Sequence, residues 1–205
     1  MIVYVETNFV LELAFLQEEC EQAERIANLA ESGEIQLVIP AFSGGEPYER
    51  MIRRSRDRKA LHDRLAVEIK ELSRSSPYTN IDDTSRELTA ILSESASDEK
   101  ARLDAVVLRL TNLSRMIPLD NDVLRISIGY QGQFALGIQD AIVFASVVSH
   151  LQSLDLTEEK LFVTKNRNDF LNPDISDVLS SHNCKLFFRF MQAIGYIESV
   201  LRQAG

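Results

Sequence analysis

The amino-acid sequence predicts an α/β fold: a buried parallel sheet wrapped by helices, with a long helical hairpin inserted into it. Three observations carry that expectation. Short apolar runs recur without alternating polarity, amphipathic helical segments separate them, and one central stretch abandons this rhythm for two long helical patterns. The runs are Met1–Val5, Ile35–Ile39, Leu161–Thr164 and Leu186–Phe188. Runs this short and this continuously apolar fit strands covered on both faces. Leu11, Phe15, Ala23, Ile26, Ala27 and Ala30 supply one or two helices between the first two runs, and Gly33 is placed to end them.

Residues 50–115 hold the hairpin. Leu61, Leu65, Ile69 and Leu72 recur at helical steps, as do Leu103, Val106 or Val107, Leu110 and Leu113. Ser73–Asn80 between them is turn-rich. Met116–Asp120 then reads as a short strand or extended entry, and Asp120 and Asp122 open a further helix, where acids suit the positive end of the dipole. Gly137–Asp140 leads into Ala141–Val148, a segment apolar all round and therefore buried. With no internal repeat and no clear linker, one domain over 1–205 is expected, interrupted by the hairpin at about 50–115.

The 205 residues are 45% hydrophobic and 26% charged, which excludes a disordered chain. No stretch approaches the roughly 18 apolar residues of a membrane span, so no membrane partner is expected. Met1–Glu6 lacks the basic start and cleavage site of a secretory leader. Cys20 and Cys184 match no metal or redox spacing, and a reducing cytoplasm is the expected setting. With 22 basic and 31 acidic residues the formal charge is −9, which argues against nucleic-acid binding by bulk electrostatics. It leaves open an enzyme that keeps divalent metals in a carboxylate pocket and meets a polyanion through a local basic patch.

Four acids sit where such a pocket would form. Glu6 follows the first strand, Glu46 the second, Asp140 opens the buried helix, and Asp169 follows the Leu161–Thr164 strand. In a parallel sheet these positions converge at the carboxyl edge of the strands. Clustered carboxylates repel one another unless a cation shares the site, and oxygen-only ligands suit Mg²⁺ or Mn²⁺. That chemistry is a metal-dependent phosphodiesterase. Each acid also has a plainer reading. Ser43–Glu46 has capping-box spacing with Pro47 in the first turn, Asp140 suits a helix cap, and Asp169 lies in an Asn-Arg-Asn-Asp turn. Glu6, directly after a buried strand, needs pairing, a solvated cleft or a metal.

A basic segment lies beside these acids. Between Arg50 and Arg64 there are seven basic residues (Arg50, Arg53, Arg54, Arg56, Arg58, Lys59 and Arg64) against Asp57 and Asp63, a net of +5. It begins within about one helical turn of Glu46. Arg50 through Lys59 are expected to hold nucleic-acid phosphates; the plain reading is a solvated face or a contact for an acidic partner.

Val5-Glu-Thr-Asn-Phe9, Ile39-Pro-Ala-Phe-Ser-Gly-Gly-Glu46, Leu136-Gly-Ile-Gln-Asp140 with its apolar continuation, and Val163-Thr-Lys-Asn-Arg-Asn-Asp-Phe170 stand in the order of four motifs of one family. The chain resembles the PIN-domain nucleases, a group that includes toxin–antitoxin ribonucleases. The resemblance implies a three-layer α/β/α fold around about five parallel strands, and Mg²⁺- or Mn²⁺-dependent endonuclease activity on RNA. It implies Glu6, Glu46, Asp140 and Asp169 as catalytic metal ligands. Thr7, Asn8, Thr164 and Asn166 would orient them. It also implies an antitoxin-like partner, and the amphipathic hairpin suits a homodimer. Two features depart from the family: the first acid is usually aspartate, and the hairpin is long. The rival expectation is a PIN-like binding module with a weakened site. A nucleotide-binding domain is disfavoured because no Gly-rich phosphate loop follows any strand.

Overall fold

A computed structural model describes the backbone of residues 1–75, 77 and 81–204, and the side chains of these except 81–89, 92–94, 96 and 204. Ile2–Val5 (β1) is buried at every position and forms the centre of the sheet. Gln36–Pro40 (β2) and Lys160–Val163 (β4) flank it. Arg115–Ile117 (β3) lies outside β2, and Cys184–Phe187 (β5) outside β4, in the order β3-β2-β1-β4-β5. All four pairings are parallel. The chain moves outward from β1 through β2 to β3, then returns across β1 to build β4 and β5. That reversal leaves a switch point between β1 and β4, where the loops part and a cleft can open.

Successive side chains of β1 point to opposite faces. Val3 and Val5 pack with Phe9 and Val10 of Thr7–Phe15 (α1), Ile26 of Cys20–Glu31 (α2), and Ile194 of Phe190–Ala204 (α9). Ile2 and Tyr4 pack on the other side. There they meet Phe134 of Asn121–Phe134 (α5), Phe144 and Val147 of Ile138–Gln152 (α6), and Ile175 of Pro173–Ser181 (α8). The result is the expected three-layer α/β/α arrangement, its two cores separated by the sheet. Between α1 and α2 the chain breaks at Leu16, and Gly33 follows α2 with φ +77, the left-handed turn that a glycine adopts without strain. Among the described residues no single helix is long and apolar enough to cross a membrane.

The hairpin differs from its sequence outline. Its first helix, Ala41–Leu72 (α3), starts directly after Pro40 rather than near residue 50. Gly44, Gly45 and Pro47 all lie within it. Gly44 is small for a reason: a Cβ there would lie 3.3 Å from Met116 Cε on β3. Pro47 lies inside the helix, and the buried Ser43 hydroxyl has no partner among the described residues, so Ser43–Glu46 is not a capping box. The second helix, Ile81–Leu113 (α4), brings Leu103 and Leu110 into the core beside α1. The seam between α3 and α4 is less apolar than the leucine spacing suggests. Leu61 and Leu72 are exposed, while Arg58 is half-buried against Glu99. Of the turn-rich connector, residues 76 and 78–80 lie outside the described residues.

Lys160 and His150 are among the polar groups built into the core. Lys160 is fully buried and donates its ammonium to the carbonyls of Asp155 and Glu158 at 2.6 and 2.7 Å. His150 shares a 2.6 Å hydrogen bond with the Tyr4 hydroxyl, while its Nε2 is buried without a partner among the described residues. Burial, reinforced by Arg115, holds the His150 pKa below its ordinary value of 6.5. Unfolding then takes up a proton that the folded protein refuses. The associated stability is complete above pH 6.5 and is lost as pH falls through the folded-state value. The raised carboxylate pKa of Glu6 works in the opposite direction over this range, so the imidazole is read by difference: between pH 7 and pH 5 the denaturant midpoint of His150→Gln should rise relative to that of the parent. Parallel pH profiles for the two proteins would refute the role of this imidazole.

Candidate active site

Register fixes the first contact. Val5 pairs with Val163, so the next residues, Glu6 and Thr164, emerge side by side at the switch point. Glu6 is only 6% exposed and acts as the N-cap of α1. Its Oε2 accepts the Asn8 backbone N–H at 3.0 Å. Its Oε1 accepts Asn8 Nδ2 at 2.7 Å and the Thr164 hydroxyl at 3.0 Å. Burial pushes the Glu6 pKa up to about 7; the three hydrogen bonds oppose this, and the charge of Glu46 adds to it. The carboxylate is aligned by donors yet poorly neutralised, a condition that a nearby cation relieves.

The same motifs orient the other acids. The Thr7 hydroxyl donates to Glu46. Asn166 Nδ2 donates to Asp140 Oδ1 at 2.9 Å, and its backbone N–H reaches the Thr164 hydroxyl, also at 2.9 Å. Asp140 lies in the first turn of α6, whose N-cap is Gly137, so it does not serve as the cap. Burial raises its pKa; the Asn166 bond opposes this, and the charges of Asp169 and Glu46 reinforce the rise. Glu6, Glu46 and Asp140 line one cleft of about 330 Å³, together with Thr7, Asn8 and Asn166. Thr164 is fully buried behind Glu6. Asp169, in Arg167–Phe170 (α7), does not line the cleft but lies near enough for its charge to act on Asp140.

The sequence pattern of the PIN domain family matches residues 3–170. That span starts in β1, ends in α7, and encloses all four acids and the hairpin. The chain belongs to the PIN-domain family. PIN domains are generally nucleases and typically use divalent metals. Among curated proteins there is no match.

The donor set of this PIN domain suits a hard divalent cation, because the cleft offers carboxylate, hydroxyl and amide oxygens and no sulfur. The raised pKa values of Glu6 and Asp140 reflect carboxylates held apart from water and close to one another. Among the described residues, however, no three acid, histidine or cysteine side chains close on one point as a ready-made cage. Glu6 and Asp140 each spend oxygen contacts on neighbouring amides or hydroxyls, and an ion would have to draw the carboxylates inward.

The basic segment of the PIN domain divides by helical face. Arg50 lines the cleft, and Arg53 lines a hollow beside it. Arg58 is committed elsewhere: its guanidinium binds both Glu99 oxygens at 3.0 and 2.6 Å and Ser95 Oγ at 3.1 Å. Arg54 lies 3.5 Å from Glu99 and 4.8 Å above the Phe15 ring. Arg56 and Lys59 are exposed and line neither hollow.

One pair escaped the sequence reading. Lys165 reaches into the cleft while its ammonium is bonded to Glu12, and Glu12 is fully buried and also accepts the Glu19 backbone N–H at 2.8 Å. A lone acid inside the otherwise apolar helix Thr7–Phe15 was the available signal. Thr164, Lys165 and Asn166 thus hand three consecutive side chains to three different acids. Lys165→Met should cost about 3 kcal/mol by leaving the buried Glu12 charge unpaired. Adding Glu12→Gln should restore most of that loss in denaturant titrations. Additive losses in the double variant would show that the two residues act independently.

Proposed function

We propose that this PIN domain is a Mg²⁺- or Mn²⁺-dependent endonuclease that hydrolyses RNA phosphodiester bonds. Glu6, Glu46 and Asp140 would hold the metal, with Asp169 adding negative charge behind Asp140. The observation that carries this reading is the meeting of Glu6, Glu46 and Asp140 in one cleft at the sheet's switch point, each fixed by a neighbouring side chain. A bound ion supplies charge neutralisation and an acidified water for in-line attack at phosphorus. The residues of the chain do the positioning. Thr164 and Asn8 stop the Glu6 carboxylate from rotating, Thr7 directs Glu46, and Asn166 directs Asp140. Lys165 and Arg50 place positive charge on the cleft wall where a phosphate would enter. RNA rather than DNA is the substrate that the family resemblance favours. An antitoxin-like protein or a second copy of the chain would meet the exposed side of the α3–α4 arm.

One observation favours a second reading, a PIN-like binding module with weakened catalysis. Glu6 is longer than the family's usual aspartate, and its oxygens are already engaged by three donors. Calorimetry with Mn²⁺ separates the two readings, because the nuclease takes up the ion specifically and the module does not.

Incubation of labelled RNAs with Mn²⁺ should give cleavage that EDTA stops. Glu6→Gln or Asp140→Asn should abolish it while far-UV circular dichroism stays unchanged. Thr164→Val, which loses only the orienting hydroxyl, should slow cleavage by about 10–100-fold. Full activity in the Glu6→Gln/Asp140→Asn protein would defeat the mechanism.

A further inference from the structure

We infer that a single nucleic-acid strand leaves the acid cleft along α3, its phosphates held by Arg50 and Arg53, while Arg54 and Arg58 serve only to keep the arm in place. This rests on the nuclease reading and adds a path for the substrate. The cleft of about 330 Å³ does not end at Glu46. A second hollow of about 240 Å³ adjoins it and shares Glu46, Arg50 and Gln139 with it. Its far wall carries Arg53 and Glu49. The two hollows together form a trough that starts beside Glu6 and runs outward along the helix.

Helical phase explains the lining. Glu46, Arg50 and Arg53 follow one another at steps of four and three, so they share one face of α3. From Glu46 to Arg53 the helix rises about 10 Å. The arginines of the trough are also the available ones. Among the described residues neither Arg50 nor Arg53 makes an ion pair, whereas Arg54 and Arg58 turn to the other face and meet Glu99. Glu99 is itself buried, so releasing Arg58 toward a ligand would strand a charge. Arg56 and Lys59 are exposed but stand outside the trough.

The trough selects the kind of ligand. Its inner end is walled by carboxylates, so an acidic protein side chain drawn toward Arg50 gains little without a cation in the cleft. A phosphodiester chain carries evenly spaced charge, so one phosphate can sit at the reactive end while its neighbours reach the two arginines. Gln139, common to both hollows, adds a neutral amide able to donate to a phosphate or sugar oxygen.

The test uses full-length protein carrying Glu6→Gln, so that bound RNA survives, and a short labelled single-stranded RNA followed by fluorescence anisotropy through a salt series. Arg50→Ala/Arg53→Ala should weaken binding at least about tenfold and reduce the slope of log K against log salt by about 1.4, near 0.7 per lost phosphate contact. Arg56→Ala/Lys59→Ala should stay within about twofold of the parent. Thermal unfolding of the Arg50→Ala/Arg53→Ala protein should match the parent, since both side chains are exposed and make no ion pair among the described residues. Equal losses in the two double variants would mean diffuse attraction and overturn the path, as would undiminished binding without Arg50 and Arg53. Polyglutamate competing as well as RNA of equal charge would overturn the choice of ligand. Cleavage assays with the native Glu6 keep the two levels apart. Mn²⁺-dependent cleavage with an unaltered KM in Arg50→Ala/Arg53→Ala would sink the trough and spare the nuclease. Arginine-dependent binding with no cleavage of any RNA would sink the nuclease and spare the trough.

Discussion

A carboxylate placed at the end of a strand buried on both faces must be satisfied without bulk water, and the site is organised around that constraint. Glu6 meets it through register. Because Val5 pairs with Val163, Thr164 arrives beside the carboxylate as a hydroxyl donor, and Asn8 closes the other side from the first turn of α1. The same loop then reaches two more acids, with Lys165 on Glu12 and Asn166 on Asp140. One short segment after β4 therefore couples the end of the central strand, the core of α1 and the start of α6. Burial makes each bond stronger and each missing bond more costly, so the loop has little freedom to drift.

The second organising feature is that α3 is one helix from the end of β2 to the tip of the arm. Glu46 belongs to the cleft and Arg50 to its rim. Arg53 lies farther out, and Arg58 is locked on Glu99. An arm hinged at a loop near residue 50 would have decoupled these groups. A continuous helix ties the position of Glu46 to the docking of the arm, and Leu103 and Leu110 of α4 anchor that docking in the core.

Much of the fold was legible because it rests on short-range signals. Four of the five strands appear as short apolar runs, β3 only at the start of the Met116–Asp120 segment, and Ala141–Val148 reads as buried since it has no polar face. The hairpin's start was not legible. Gly44, Gly45 and Pro47 are poor helix formers locally, and the approach of position 44 to Met116, more than seventy residues away, which calls for a small residue there, is invisible to local pattern. The leucine stripe of α3 misled for a related reason: Arg58 occupies a seam position because Glu99 meets it there, a pairing invisible to periodicity. At the site, the four acids could be picked out by their position after strands or at a helix start, although Asp169 does not line the cleft; Thr7, Asn8, Thr164 and Asn166 were legible only through the family resemblance. Lys165 and Glu12 could not be paired, since 153 residues separate them and neither stands in a recognisable spacing. The split among the arginines needed the helical phase of α3, which depended on knowing where the helix begins.

Glutamate at position 6 is the remaining departure, and the geometry gives it a physical sense. Helix N-caps favour short side chains, because the acceptor must fold back onto the N–H of the second or third helical residue. Glu6 manages the bond to the Asn8 N–H with Oε2, and its extra methylene carries Oε1 across to Thr164 on the neighbouring strand. An aspartate would be shorter by about 1.5 Å and could not hold all three donors in the same arrangement. The longer side chain therefore fastens β1 to the loop after β4 more firmly, at the expense of oxygen lone pairs that a cation would otherwise use. Whether the cleft works as a nuclease turns on that competition. The raised pKa of Glu6 favours the cation, since three hydrogen bonds leave the carboxylate short of full stabilisation and a divalent charge supplies what they do not.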